Sequence, residues 1–255
     1  METHDIFIGI LVLGLIITSG LAVYTVKAPT IIQQSTNTQA QQDTISLSAN
    51  SKLTVAPDQA ELYFRIQTEG KTAIDAQEGN KRASNTVLGA LKAKGVKEKD
   101  IETTQYYISK KQKYDPKTGE STTTGYELIH VLKVTITDLE NVGSLVDTGV
   151  SAGSNGVNNI LFTLTDNKEK EVRDQALAAA GKLGKEKAQT LASSMDVSLG
   201  RLVSISETSF NYTPYSYESR NFAALSLAEK AEPTQIQPQS LDITAMISVV
   251  YEIKP

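Results

Sequence analysis

The sequence predicts an α+β fold with mixed, largely antiparallel sheets and helices packed on one face, preceded by one N-terminal transmembrane helix. Three observations predict it. Stretches of apolar period 2 outnumber those of period 3.6 between residues 44 and 253. Two of the strands are joined by a short turn-forming sequence, which suits antiparallel neighbours, while others alternate with helical stretches. The segment Ile6 to Val26 carries no charge.

That first segment, "IFIGILVLGLIITSGLAVYTV", is 21 residues long between Asp5 and Lys27. At about 1.5 Å per residue it reaches roughly 30 Å, the thickness of a hydrocarbon core. Residues 1–5 form a short tail before it, and Glu2 and Asp5 stand where a signal peptide carries lysine or arginine. The segment therefore reads as an uncleaved anchor over residues 6–26. A cleaved signal, with small residues near Gly20-Leu21-Ala22 or Val26-Lys27-Ala28, is the alternative and would make the protein secreted. Residues 27–43, rich in Gln, Thr and Ser, read as a polar linker, and the domain spans residues 44–255.

Within the domain, "ISLSANSKLTVAP" reads as a strand or a bent strand pair. "QAELYFRIQTEG" places Ala60, Leu62, Phe64 and Ile66 on one face and Glu61, Tyr63, Arg65 and Gln67 on the other, the pattern of a half-buried strand. Thr72 with Asp75 marks a helix start, Ala76, Ala83, Val87 and Leu91 its apolar stripe, and Gly95 its stop. "DIETTQYYISKKQKY" and "GYELIHVLKVTITD" form two strands joined across "DPKTGES". Asp138 is expected to cap a short helix with Leu139, Val142, Val146 and Val150 inward, ending at Gly153. "VNNILFTLTD" is a strand. Asp166, with Glu169 in the capping-box position, opens the longest helix, with Val172, Ala176, Ala180, Leu183, Leu191 and Met195 predicted to face inward. "RLVSISET" and "SLDITAMISVVYEI" are the closing strands, separated by a long irregular stretch that includes a loop at residues 211–240.

Composition removes several function classes. The formal charge is −4 with acids and bases evenly mixed, so no basic patch exists to neutralise phosphates, and nucleic acid is not an expected partner. With no cysteine, disulfides and thiolate chemistry are excluded. Two histidines, His4 and His130, leave zinc dependent on carboxylates, and no carboxylate cluster is visible. No metal or cofactor is expected. His130 shares its strand face with Leu128, Leu132 and Val134 and reads as a satisfied sheet histidine. "GVSAG", Gly149 to Gly153, matches a nucleophile pattern, yet the elbow needs strand, serine, helix, and here helix precedes Ser151 and strand follows. No histidine lies downstream of His130 to complete a triad. The glycines read as backbone devices, and no catalytic residue is assigned.

The stretch "GYELIHVLKVTITDLENVGSLVDTGVSAGSNGVNNILFTLTD" resembles the middle signature of the SIMPL-domain family. "ANSKLTVAPDQAELYFRIQTEGKTAIDAQEGN", with Pro57 and Asp58, is similar to the family's opening, and "ALAAAGKLGKEKAQTLASSM" with "LGRLVSISE" to its closing helix and strand. The chain departs from the pattern in its tyrosine-rich insertion and at Pro238-Gln239-Ser240. The resemblance implies an exported or membrane-anchored prokaryotic envelope protein, linked in some members to oxidative-stress tolerance, with ring-like or channel-like oligomers in others. It implies no catalytic residues. The expected function is thus non-catalytic: a membrane-anchored extracytoplasmic domain acting by homo-oligomerisation or by binding an envelope protein, held to the membrane through Ile6 to Val26. An envelope enzyme using carboxylates or Tyr212, Tyr215 and Tyr217 is the alternative, and a cytoplasmic-facing adaptor is the third reading.

Overall fold

In the computed structural model, which describes residues 43–217 and 234–255, β2 (Gln59–Gly70) is the middle strand of a five-stranded sheet. Its alternation places Ala60, Leu62, Phe64 and Ile66 in the core with no exposed surface. Burying side chains of this size stabilises by about 1.5–3 kcal/mol each, which fixes the register of β2. Around it lie β3 (Ile101–Tyr114), β4 (Ser121–Ile136), β5 (Gly156–Thr163) and β7 (Tyr215–Tyr217), in the order β3-β4-β2-β5-β7. A second sheet holds β1 (Thr44–Val55), β8 (Leu241–Lys254) and β6 (Ser198–Tyr212), in the order β1-β8-β6.

Every pairing between described strands is antiparallel, so the sheets are not mixed. The reason lies in the crossovers. Helix α1 (Ala73–Ala93) connects β2 to β3, and β4 is inserted between them; α2 (Val142–Ser151) connects β4 to β5, and β2 is inserted between those. The strand–helix–strand units are present, but each pair of codirectional strands is split by an antiparallel one. Helix α3 (Asp166–Ser194) leads from β5 into the other sheet. Helices α1 and α2 pack on the five-stranded sheet and α3 on the three-stranded sheet.

Helix α1 starts at a capping box: Thr72 Oγ1 accepts from the Asp75 amide at 3.1 Å, and Asp75 Oδ2 accepts from the Thr72 amide at 3.0 Å. Residues 44–55 form one continuous strand, not a bent pair. Elsewhere caps shift. Asp138 precedes a 3₁₀ turn, Leu139–Asn141, without a side-chain cap bond, and bonds the Asn141 side chain instead. The long helix is capped by Thr165, whose hydroxyl accepts from the Lys168 amide, so its start is one residue earlier than the Asp166 capping box implied. Asp58 holds that cap by accepting from the Thr165 amide at 2.7 Å and from its hydroxyl at 2.8 Å.

The inward stripe of α3 is also different. Val172, Ala176, Ala180, Gly184, Ala188 and Ala192 are buried, whereas Leu183, Leu191 and Met195 are exposed, Met195 by 71%. A row spaced by four small residues lets the helix backbone lie close to the sheet, with Gly184 against Ala49, Ile247 and Val249. In α2 the buried side includes Leu145 and Gly149, with Val150 only partly buried.

The described ends of the stretch 211–240 belong to the folded body. Asn211 and Tyr212 close β6, Tyr215–Tyr217 pairs with β5, and Thr234 binds α2 through Asp147. The predicted membrane span Ile6 to Val26 lies outside the described residues, as does the linker up to residue 42. Among the described residues no helix is long and apolar enough to cross a membrane.

Candidate functional site

Ser151 ends α2 and is exposed. Its pattern is explained by backbone geometry: the Ser154 amide bonds to Gly149 O and the Gly153 amide to Val150 O, both at 3.0 Å, and Gly153 has φ +105°. That is a Schellman stop, in which glycine takes the left-handed conformation. Gly149 has a packing role, since a Cβ there would lie 2.2 Å from Cε1 of Phe64. The shallow depression beside Ser151 contains Asp147 but no histidine, and Asp147 is engaged by Thr234.

His130 is buried on the helix side of β4. Its Nδ1 lies 3.0 Å from Asn80 Oδ1 and its Nε2 3.0 Å from Thr103 Oγ1. Asn80 donates its Nδ2 to the Ile66 carbonyl, which fixes Oδ1 towards the ring. Nδ1 therefore carries the proton and Nε2 accepts from Thr103. The Tyr106 ring stands edge-on to the imidazole at 5.2 Å. Burial pushes the His130 pKa down, and the ring meets no carboxylate in these contacts. The arrangement ties α1, β4 and β3 together.

Of the tyrosines of the insertion, Tyr212 and Tyr215 pack against one apolar cluster that includes Leu164 and Ile243. Tyr212 has its pKa raised by burial and by Glu169, Tyr215 stacks on Phe162 at 6.3 Å, and Tyr217 is exposed opposite Ile160. A cleft of about 400 Å³ at the end of α1 is lined by Asp100 and Asp138 together with Lys94, Lys97 and Lys99. Among the described residues no group of three or more His, Asp or Glu side chains has metal-binding proximity.

Polar side chains do converge on the face of the five-stranded sheet opposite α1 and α2, which no described helix covers. Register places Gln67, Ile129 and Tyr107 in one row, Arg65, Val131 and Gln105 in the next, and Tyr63, Lys133 and Glu102 in a third. Lys133 Nζ sits 2.9 Å from Glu102 and 3.7 Å from Glu61. Its pKa is raised, chiefly by the hydrogen bond to Glu102. Tyr63 donates its hydroxyl to Glu61 at 2.7 Å; burial, then Glu61, pushes its pKa up to about 12. Gln67 bonds Glu127. Between these polar groups Ile129 and Val131 are 7% and 4% exposed, and Arg65 Nε is buried without a hydrogen-bond partner.

The alternation of β2 showed this face as polar, but the apolar centre supplied by β4 depends on register, which the sequence does not state. The family model described as "SIMPL: Protein of unknown function (DUF541)" matches residues 45–251. The chain belongs to the SIMPL family. This SIMPL chain is 32% identical over 216 residues to the "26 kDa periplasmic immunogenic protein" of Brucella melitensis, covering 82% of the chain and 84% of that protein. It is 25% identical over 207 residues to "Uncharacterized protein YggE" of Edwardsiella ictaluri, covering 81% and 85%. It is 25% identical over 211 residues to the protein of that name in Escherichia coli K12, covering 83% of each. SIMPL relatives named as periplasmic or uncharacterised supply no catalytic residue to transfer to this fold.

Proposed function

We propose that this SIMPL chain is a non-catalytic, membrane-anchored extracytoplasmic protein that works by self-association or by binding an envelope protein. The observation that carries the reading is the face of the five-stranded sheet that no described helix covers. Tyr107 is exposed there and Tyr63 and Arg65 are half-buried above the buried Ile129 and Val131, with Glu61, Lys133 and Glu102 beside them, an aromatic and arginine composition that suits protein binding rather than a reaction centre. Placement outside the cytoplasm is supported by the name of the Brucella protein, and anchoring by the uncharged run Ile6 to Val26. A role in oxidative-stress tolerance is the physiological context the family resemblance implies.

The test is the native mass of the detergent-extracted full chain, with fractionation and protease protection of intact cells. Wild type is expected as an oligomer or a partner complex, and Arg65→Glu as a monomer. A strictly monomeric wild type without a cross-linked partner, or a domain shielded on the cytoplasmic side, overturns the reading.

A further inference from the structure

The C-terminal end of α3 carries apolar side chains that the fold does not use. Met195 is 71% exposed and Leu191 38%, on the same helical row as Leu183 at 44%. The stop of the helix does not need them. Val197 donates its amide to Ala192 O at 3.1 Å and Asp196, at φ +55°, takes the left-handed turn, so the helix is closed through Ala192 and Val197 while Met195 projects outward.

The contacts of α3 with β1 fix which end of the domain this is. Ser51 Oγ donates to Ala176 O at 2.7 Å, Gly184 lies against Ala49, and Lys187 Nζ donates to Ser48 O at 3.0 Å. The helix therefore runs antiparallel to β1. From Lys187 to Met195 the helix rises about 12 Å, and from Ser48 back to Thr44 the strand covers about 13 Å, so Met195 stands level with the first residue of the strand. At that end Leu202 is 44% exposed, in the row it forms with Tyr251 and Ile45. The charges there are mixed: Arg201 is closed by Glu252 at 2.6 Å, and Lys254, Asp43 and Asp196 are among the others.

It is also the end at which the chain enters. Strand β1 begins at Thr44, and residues 27–43 separate it from the uncharged run Ile6 to Val26. A stretch of that length reaches no more than about 60 Å, so a bilayer holding the uncharged run stays within reach of this end of the domain, and a contact too weak to recruit the protein from solution suffices. We propose that the α3 end of the three-stranded sheet rests on this bilayer, with Met195, Leu191 and Leu202 at the boundary between headgroups and acyl chains. Exposed apolar side chains among mixed charges suit that boundary and call for no anionic lipid. Only the bilayer itself is taken from the anchored reading; the surface of the domain that meets it is new.

The chain has no cysteine, so one introduced thiol carries a fluorophore to one place. The full chain is inserted into phosphatidylcholine vesicles containing a lipid with a quencher at headgroup depth, with the label at Ser194→Cys or at Lys170→Cys. Both positions are exposed, and the helix between them holds them about 36 Å apart. Quenching is expected at residue 194 and not at residue 170, unchanged between about 0.05 and 0.5 M salt. Adding Leu191→Glu and Met195→Glu to the Ser194→Cys chain should remove it without moving the melt, since both side chains are exposed, and Met195→Glu alone serves if the double variant does not fold. A chain that floats with the vesicles but shows no quenching at residue 194, equal quenching at both positions, quenching only in vesicles with added phosphatidylglycerol, or quenching kept by the folded variant overturns the proposal and leaves the anchor intact. A chain that washes off the vesicles in carbonate overturns the anchor, and the proposal with it.

Discussion

Replacing Gly149 by alanine should destabilise the domain, although alanine is the better helix former. The new Cβ would stand 2.2 Å, 2.6 Å and 3.1 Å from three ring carbons of Phe64, a fully buried side chain of the middle strand. Carbon atoms need about 3.5 Å, so the overlap is severe and belongs at the upper end of the range of about 1–3 kcal/mol for overpacked cores. Helix propensity returns about 1 kcal/mol, leaving a net loss of about 2 kcal/mol. For a domain of this size that is a melting temperature lower by about 4–8 °C. Gly153→Ala, in open space but at φ +105°, should cost about 1 kcal/mol through backbone strain. Ser151→Ala, exposed between them, should stay within about 0.5 kcal/mol of wild type. Thermal and urea melts of the three variants are the assay. A Gly149→Ala protein as stable as wild type, or a Ser151→Ala protein less stable than both glycine variants, would refute the assignment of these glycines to packing and turning.

Asp58→Ala leaves the Thr165 amide and hydroxyl without their acceptor and should cost about 1–3 kcal/mol in urea melts. Because burial lowers the His130 pKa, the unfolded chain takes up a proton first as pH falls below about 6.5; stability is full above that value and declines beneath it, and melts of His130→Gln across the same window should lack this component. Tyr63 is held protonated up to about 12, so its share of tyrosinate absorbance should rise only near there, and fold stability should fall as pH passes from about 10 towards that value; the difference spectrum against Tyr63→Phe isolates it. On α3, Leu191→Gln should shift the melt little, whereas Ala188→Leu should lower it by about 1–3 kcal/mol of overpacking.

The last pair marks where sequence and structure part. Alternation made β2 and β8 legible to the residue, because a strand buried on one face admits no other register. The capping box of α1 was equally plain, both of its members being local. Helix α3 misleads because its largest apolar side chains are not its core: the sheet selects the row of smallest residues, and Leu183, Leu191 and Met195 stay exposed. Propensity and size cannot report that choice, since it depends on how closely a backbone must approach. The same holds on the face of the five-stranded sheet opposite its helices. Glu61, Tyr63, Arg65 and Gln67 were readable as the polar side of β2, but that Lys133 would neutralise Glu61 and Glu102, or that Ile129 and Val131 would sit between them, follows from pairings made across the chain. His130 was readable as a sheet residue; its partners Asn80 and Thr103 lie 50 and 27 residues away.

Among the described residues each sheet carries helices on one side only, α1 and α2 on the five-stranded sheet and α3 on the three-stranded one. On the other side of the five-stranded sheet Ile129 and Val131 are already buried, so what a partner could meet is the layer above them: Tyr63, Tyr107 and Arg65, with Lys133 closed by Glu61 and Glu102. A contact there would gain from aromatic area and hydrogen bonds rather than from an open apolar pocket. Arg65→Glu should therefore lower the native mass while leaving the melt close to that of wild type. If the native mass fell only in a protein that also melted early, the loss would be one of fold and not of contact, and the assignment of this face to association would be wrong.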